Sequence, residues 1–277
     1  MNSDTANAPN IRQPAVAGMF YPERAPVLAN EVASLLAAIP APARPVPKAL
    51  VAPHAGYVYS GPIAASVYAL LKPAAATIRR VVLLGPTHRV GVRGLAVPSV
   101  DSFATPLGRV DLDREAIATL ADLPQVVVAD APHAQEHSLE VQLPFLQTVL
   151  GDFRLVPLAV GLASAERVAE VIDRLWGGPE TLIVVSSDLS HYLPYAEARE
   201  IDGHTAERVL AFAPDISHDE ACGATPLNGL LLAACRHGLR ASLVDLRNSG
   251  DTAGDRRRVV GYGAFAFTET AEASDAH

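Results

Sequence analysis

The chain has 277 residues, and its 22 Lys and Arg against 30 Asp and Glu give a formal net charge of −8 at pH 7. This acidic balance argues against a general nucleic-acid binder and against a protein that binds anionic membranes. Two cysteines and no CxxC pattern exclude a disulfide framework and a zinc knuckle, so we expect a reducing, cytoplasmic environment. The polar start of the chain predicts no signal peptide, and no apolar run approaches the ~20 residues of a membrane span.

Apolar runs of strand length alternate along the chain with stretches of helical spacing. Flexible arms are predicted at residues 1–13 and 269–277, with one domain over residues 14–268 between them. Strands are predicted at 49–52, 80–84, 126–129, 155–160, 181–186 and 259–267. Helices are predicted at 27–38, 63–71, 114–121, 140–150, 164–175, 196–212 and 226–237. This alternation predicts the α/β class with three layers, a mainly parallel central sheet and helices on both of its faces.

Histidines follow three of the predicted strands within a few residues of the strand ends. His54 follows the first strand, His88 follows the second, and Asp188 and His191 follow the fifth. In a parallel sheet these ends share one rim, which is where open α/β sheets bind their ligands. Each histidine alone is typical of a loop residue with a satisfied hydrogen bond. The pair of His54 and His88 favours a metal site, because neutral imidazole is the commonest metal ligand.

A third, anionic ligand would complete such a site, and the candidates are Asp188, Glu136, Glu140 and Cys222. Cys222 lies just before the predicted helix at 226–237. A helix N-terminus lowers the pKa of a nearby thiol and so favours the thiolate, which is the form that binds metal. The alternative is that Cys222 is a buried, inert side chain.

For other polar side chains near these motifs, a purely structural role is an alternative to a functional one. Asp188 and His191, three residues apart, fit either a proton-transfer pair or a helix cap beside a surface histidine. The segment EHSLE at 136–140 fits a capped helix start, with His137 facing the same pocket. Cys235, on an apolar helical stretch, is predicted to lie in the core. Surface positions are predicted for the histidines that lack such a context: His133, His204, His218, His237 and His277.

Common nucleotide and hydrolase motifs are absent from the sequence. It contains no GxSxG nucleophile elbow, no HExxH, no Walker A loop and no GxGxxG after a strand. The sequence therefore gives no support for a nucleotide enzyme or a typical serine hydrolase.

Seven segments match one known family pattern, in order and over nearly the whole chain. They are AVAGMFYP (15–22), APHAGYVYSGPIAA (52–65), LGPTHRV (84–90), EHSLEVQLPFL (136–146), VVSSDLSHY (184–192), CGATPL (222–227) and GYGAFAF (261–267). Together they resemble the Memo family, whose prokaryotic members are called AmmeMemoRadiSam system protein B. The resemblance implies a fold similar to the class III (B-type) extradiol dioxygenases, which use non-haem iron, and a functional link to a radical-SAM protein.

The resemblance also implies roles for individual residues. The metal ligands match His54, His88 and Cys222, with Cys222 in place of the glutamate that completes the iron site of the dioxygenases. A thiolate is softer than a carboxylate, shifts the metal preference toward copper(I) or zinc, and can itself be oxidised. His191 matches the acid–base histidine of the dioxygenases. The remaining pocket positions are expected at Asp188, Glu136, His137 and Tyr57.

Three functions are open on the sequence alone. The first is a dioxygenase-like redox enzyme that binds Fe(II), or else copper, and acts on a small molecule. In it His191 would shuttle a proton and Asp188 would orient the site. The second is a non-catalytic adaptor that holds a metal or a peptide in the same pocket. The third, a zinc hydrolase built on the same residues, ranks lowest because the resemblance implies iron.

Overall fold

The computed structural model describes residues 10–40 and 44–269, which form two β-sheets and the helices that cover them. The strands are β1 (Ile11–Arg12), β2 (Ala49–Ala52), β3 (Arg80–Pro86), β4 (Leu95–Val97), β5 (Ser102–Thr105), β6 (Gly108–Asp111), β7 (Val126–Val128), β8 (Arg154–Val160), β9 (Thr181–Ser186), β10 (His191–Leu193), β11 (Arg240–Asn248) and β12 (Val259–Thr268). The helices are α1 (Ala25–Ala37), α2 (Tyr57–Tyr68), α3 (Arg114–Ala118), α4 (Ala131–Ala134), α5 (Leu143–Leu150), α6 (Ala165–Arg174), α7 (Tyr195–Leu210) and α8 (Ala224–Arg236). Within the described ranges, none of these helices has the length and apolar composition needed to cross a membrane.

The large sheet is mixed, with a parallel centre and antiparallel strands toward its edges. Its strand order is β10-β12-β2-β9-β3-β8-β4-β7, and β11 also pairs with β12. The four central strands, β2, β9, β3 and β8, are parallel to one another. Strand β12 runs antiparallel to β2, β10 and β11, and β4 runs antiparallel to β8. The predicted α/β class is confirmed. Strand β11 was not predicted, and its antiparallel pairing follows from the short connection to β12.

Helices cover both faces of the large sheet, as the three-layer prediction requires. All four residues of β2 are buried. Leu50 and Ala52 pack into a core shared with α1, α2 and α5. Ala49 and Val51 face the other way and pack with α6 and α8. Because successive side chains of a strand point to opposite faces, this alternation places one apolar core on each side of the sheet.

The fold begins before the predicted domain boundary at residue 14. Ile11 and Arg12, predicted to lie in a flexible arm, pair in parallel with β5 of the small sheet β1-β5-β6. Arg12 is buried and forms an ion pair with the fully buried Glu140. A buried cation requires such a partner, and this partner ties the strand to the fold. The rest of the predicted arms, residues 1–9 and 270–277, lie outside the described residues.

Helix α2 begins at Tyr57, ahead of the predicted start at residue 63. Pro62 lies inside the helix, where it removes one backbone hydrogen bond. The early start leaves only a short turn between β2 and α2. His54 lies in that turn.

Candidate metal centre

The predicted site residues meet at the carboxyl ends of the central parallel strands. Strand β9 lies between β2 and β3 and is parallel to both. His54 follows β2, Asp188 follows β9 and His88 follows β3. The two histidine-bearing strands therefore flank the strand that leads to Asp188, and the turns after all three reach one rim of the sheet.

His54, His88 and Cys222 form a group whose potential ligand atoms all lie within 4.8 Å of one another. The Sγ atom of Cys222 lies 3.3 Å from Nε2 of His54. The rings of His54 and His88 are 5.2 Å apart, centre to centre. His54 is buried, Cys222 is half-buried and His88 is exposed, so the group is open to solvent on the His88 side.

The backbone of Asp188 holds Cys222 in place. The Asp188 N–H points at the Cys222 sulfur at 3.3 Å, and the Cys222 N–H donates to the Asp188 carbonyl at 3.2 Å. Cys222 lies two residues before helix α8, as predicted. Its pKa, however, is raised rather than lowered, first by burial and then by the Asp188 carboxylate. The expected effect of the helix N-terminus is therefore outweighed by loss of solvent around the sulfur.

Glu136 fixes the orientation of His88. Nδ1 of His88 donates to Oε1 of Glu136 at 2.8 Å, and the same oxygen accepts from the backbone N–H groups of His137 at 3.0 Å and Ser138 at 2.9 Å. Burial raises the pKa of Glu136, but the hydrogen bonds from His88 outweigh it and lower the pKa to about 2. Because Nδ1 donates, the Nε2 lone pair of His88 is free for a metal. Glu136 is not part of the group formed by His54, His88 and Cys222, but its carboxylate forms a second group of potential ligands with His88 and His137, whose atoms also lie within 4.8 Å of one another.

His137 lies beside the two histidines. Its ring centre is 4.7 Å from that of His88 and 5.5 Å from that of His54. Burial lowers the pKa of His137 to about 4. Burial, followed by the neighbouring His88 and His137, also lowers the pKa of His54 well below its usual value. His54 and His137 are thus neutral at pH 7, and neutral is the form that binds metal.

Asp188 and His191 are held separately rather than as a pair. The Asp188 carboxylate accepts the backbone N–H of His54 at 2.7 Å, and burial raises the pKa of Asp188 to about 6. Nδ1 of His191 contacts the carbonyl oxygen of Leu189 at 2.8 Å. A carbonyl only accepts, so Nδ1 of His191 carries the proton and Nε2 of the neutral ring is a base. The backbone of Leu189, not the Asp188 carboxylate, sets this orientation.

Two predicted candidates have other partners. Glu140 accepts the backbone N–H groups of Ala15 at 2.7 Å and Val16 at 3.0 Å, in addition to Arg12 and the Tyr21 hydroxyl. It is a buried structural acceptor and not a third ligand. The hydroxyl of Tyr57 donates to the carbonyl of Val141 at 2.7 Å, and its ring packs against Tyr21 and Phe145. The predicted place of Tyr57 in the pocket was wrong, because its side chain belongs to the core.

Two burial predictions were also wrong. His133, predicted at the surface, is buried, and its Nε2 contacts the carbonyl of Ala96 at 2.9 Å. Burial lowers the pKa of His133 to about 4. Cys235, predicted in the core, is exposed, because α8 turns its other faces toward the sheet. The predicted surface positions of the other described histidines agree with the structure: His204, His218 and His237 are exposed.

Sequence reasoning missed two polar residues next to His54. The hydroxyl of Ser186, the last residue of β9, lies 2.8 Å from Nδ1 of His54. The side-chain amide of Gln142 lies 2.8 Å from the same hydroxyl. Both residues are fully buried. Gln142 lies within the matched segment 136–146 and Ser186 within 184–192. Neither glutamine nor serine, however, indicates a metal site by itself.

Comparison with known proteins places these residues in a family. The family model described as "Memo-like protein" matches residues 12–266, a span that includes every residue of the cluster. The chain belongs to the Memo family. Curated members of the family include proteins of Methanosarcina mazei, 40% identical over 92% of this chain and 98% of theirs, and of Aquifex aeolicus, 37% identical over 93% and 99%.

Other Memo family members and one solved structure extend the comparison. A member from Archaeoglobus fulgidus is 36% identical over 93% of this chain and 99% of its own. An uncharacterized protein of Escherichia coli K12 is similar in structure, with a TM-score of 0.47 and 13% identity over 79% of this chain and 98% of its own. At that level the structural likeness carries no information about function.

Proposed function

We propose that this Memo family protein binds a redox-active metal, Fe(II) first and copper as the alternative, and uses it in a dioxygenase-like oxidation of a small molecule. The observation that carries the proposal is the group formed by His54, His88 and Cys222, whose ligand atoms converge within 4.8 Å. Two imidazoles and one anionic side chain are typical of open transition-metal sites. Zinc is the less favoured occupant.

The donors around the group fit a metal. His88 presents its Nε2 lone pair because Nδ1 donates to Glu136, which is the arrangement that orients metal-bound histidines. The Cys222 thiol has a raised pKa without a metal, but coordination to a divalent ion removes the proton from a thiol. The exposed side of the group, at His88, leaves room for a further ligand such as substrate or O₂.

Residues of the chain supply the proton chemistry. A bound Fe(II) or copper ion would supply one-electron chemistry with O₂ at the positions that the three protein ligands leave open. Nε2 of His191 is available as a base, since Nδ1 is occupied by the Leu189 carbonyl. With a pKa of about 6, the Asp188 carboxyl exchanges a proton near neutral pH. We therefore propose that His191 transfers a proton to or from the substrate and that Asp188 orients the site.

One experiment tests both metal binding and turnover. Protein purified without oxygen is analysed for its metals, loaded with Fe(II), and given O₂ and a panel of catechols and small metabolites. Substrate-dependent O₂ consumption that is lost in His54→Ala supports the proposal. A wild-type protein that holds no iron or copper, with the same weak affinity in His54→Ala, overturns it.

Exposed apolar side chains at the rim favour a second candidate, the non-catalytic adaptor. Val58 is 62% exposed, Tyr192 is 62% exposed and Leu162 is 79% exposed. They follow β2, β9 and β8, respectively, on the carboxyl side of the sheet: Val58 lies in the first turn of α2, Tyr192 in β10 and Leu162 in the segment after β8. Such side chains suit recognition of a partner. Intact metal binding with no O₂ consumption over the whole panel would favour this candidate.

The proposed setting is the cytoplasm, with a small-molecule substrate and a functional link to a radical-SAM protein. A reducing compartment suits Cys222, because a free thiol near a redox-active metal is open to oxidation. Co-purification of the tagged chain from its own cells, followed by mass spectrometry, tests the link. Absence of any radical-SAM protein among the bound partners and no metabolic effect of deleting one would count against it.

A further inference from the structure

A chain of buried hydrogen bonds extends from His54 away from the candidate metal centre. The hydroxyl of Tyr68 donates to Oε1 of Gln142 at 2.8 Å. Nε2 of Gln142 donates to the hydroxyl of Ser186 at 2.8 Å. That hydroxyl contacts both Nδ1 of His54 and the carbonyl oxygen of Ser138, at 2.8 Å and 2.6 Å. None of these side chains has measurable exposure beyond the 2% of His54, so water does not compete for the bonds.

The orientation of Gln142 follows from its neighbours. One end of its side-chain amide lies 3.0 Å from the carbonyl oxygen of Pro53 and 3.4 Å from that of Ala52. Carbonyl oxygens only accept hydrogen bonds, so this end is the NH₂ group. The other end is therefore the oxygen, which accepts from Tyr68. In this orientation, the side chain of Gln142 can only donate a hydrogen bond to Ser186 and cannot accept one from it.

The direction of the last bond in the chain follows from the proton of Ser186. A serine hydroxyl has one proton and two lone pairs. The proton goes to the carbonyl oxygen of Ser138, because that oxygen cannot donate. One lone pair accepts from Gln142. The second lone pair is all that remains for His54, so Nδ1 of His54 must donate and must carry the ring proton.

We propose that Ser186, held by Gln142, is a positioning residue that keeps His54 in the tautomer protonated at Nδ1. The lone pair of the neutral ring is then on Nε2, which faces the sulfur of Cys222 at 3.3 Å. The tautomer is a property of the folded chain alone. Only its consequence, that Nε2 of His54 has a lone pair ready to bind a metal, rests on the proposed function.

The tautomer is tested on metal-free, ¹⁵N-histidine-labelled protein at pH 7.5 by long-range proton–nitrogen correlation spectra. The signals of His54 are assigned by their absence from His54→Gln. We expect Nδ1 of His54 to be protonated and Nε2 to be unprotonated in the wild type. A ring protonated at Nε2 in the wild type overturns the proposal without any variant, so the test does not depend on how a variant folds.

Two substitutions of Ser186 separate the hydroxyl from the rest of the side chain. Ser186→Ala removes the acceptor, and we expect its His54 to populate the tautomer protonated at Nε2. Ser186→Thr keeps the hydroxyl on a strand residue that suits β structure, and we expect the wild-type pattern. An unchanged tautomer in a folded Ser186→Ala protein overturns the role of Ser186.

Metal affinity, measured anaerobically by calorimetry with Fe(II) alone, tests the consequence. We expect Ser186→Ala to bind ~10–100-fold more weakly, the usual cost of losing a group that orients a ligand, and Ser186→Thr to bind like the wild type. Equal affinities in the presence of a changed tautomer overturn the positioning role. If the wild type binds no metal at all, the proposed function fails while the tautomer result stands on its own.

Discussion

The sulfur of Cys222 lies 3.3 Å from Nε2 of His54, although the two residues are 168 positions apart in the chain. A tetrahedral metal with bonds of ~2.3 Å to sulfur and ~2.0 Å to nitrogen holds its two ligand atoms about 3.5 Å apart. The observed separation is therefore close to the one that a shared metal requires. It also distinguishes the two cysteines, since Cys235 is exposed on α8.

Replacing Cys222 by serine should weaken metal binding strongly. The hydroxyl of serine is not ionised near neutral pH and is a poor ligand for Fe(II) or copper. We expect the affinity for Fe(II) to fall by at least ~100-fold, which exceeds the usual effect of losing an orienting group. Anaerobic calorimetry and metal analysis of the isolated protein measure it. Cys235→Ser is the matched control and should bind as the wild type does. Equal affinities in the two variants would exclude Cys222 as a ligand.

Glu136→Gln should weaken metal binding without removing a ligand. The carboxylate accepts Nδ1–H of His88, and the amide loses the charge that strengthens this bond and directs the ring. We expect Fe(II) to bind ~10–100-fold more weakly in calorimetry. The exposed Glu207 provides the control Glu207→Gln, for which no change is expected. A loss of unfolding free energy without a change in affinity would make Glu136 a purely structural residue.

Glu140→Leu should destabilise the fold far more than a surface substitution does. It leaves the guanidinium of Arg12 buried without a counter-charge, and breaking a buried ion pair from one side costs about 3–5 kcal/mol. Urea unfolding measures the loss. The double variant Arg12→Met with Glu140→Leu removes both charges and should recover part of the stability. A double variant no more stable than Glu140→Leu would show that the other donors to Glu140, not Arg12, dominate the loss.

His133 should make stability depend on pH below neutrality. Its pKa in the folded chain is about 4, against an ordinary 6.5. The unfolded chain therefore binds a proton between these values that the folded chain does not. The contribution of His133 to the free energy of unfolding is therefore complete above pH 6.5 and is lost as the pH falls toward 4. Between pH 7 and pH 5 the expected loss is about 2 kcal/mol.

Urea unfolding of His133→Gln at the two pH values isolates this residue. Glutamine does not titrate and keeps a donor for the carbonyl of Ala96. The variant should lose about 2 kcal/mol less than the wild type between pH 7 and pH 5. His137, with its own lowered pKa, is present in both proteins and cancels in the comparison. The exposed His204 supplies the control His204→Gln, which should follow the wild type. Identical pH dependence in all three proteins would contradict the prediction.

The strand-end histidines were predictable because the geometry of parallel strands is general. Apolar runs at 49–52 and 80–84 fix where the chain leaves the sheet, and whatever follows each run must lie at the same rim. No detail of packing is needed to bring His54 and His88 near each other. Cys222 was one of four candidates for the third ligand on the residues alone, and only the family resemblance singled it out, because its distance from the other two in sequence carries no geometric signal.

Residues whose role depends on a single rotamer or a single helix face were not predictable. The exposure of Cys235 depends on which side of α8 meets the sheet, and the neighbouring apolar residues in the sequence do not decide that. The burial of His133 depends on β4, whose residue Ala96 supplies its acceptor. Ser186 and Gln142 act on His54 through hydrogen bonds between separate elements. Such contacts exist only after tertiary packing.

The wide spacing of His54, His88 and Cys222 along the chain has a consequence for the order of assembly. The pocket exists only after β2, β9 and β3 have paired, so an ion bound as proposed would enter a folded protein. This is the reverse of a zinc finger, in which the ion creates the fold. We expect a chelator to strip the site and leave the circular dichroism spectrum of the chain intact. On the proposed function, the supply of metal would then set the fraction of protein that carries the ion, while the amount of folded protein would stay constant.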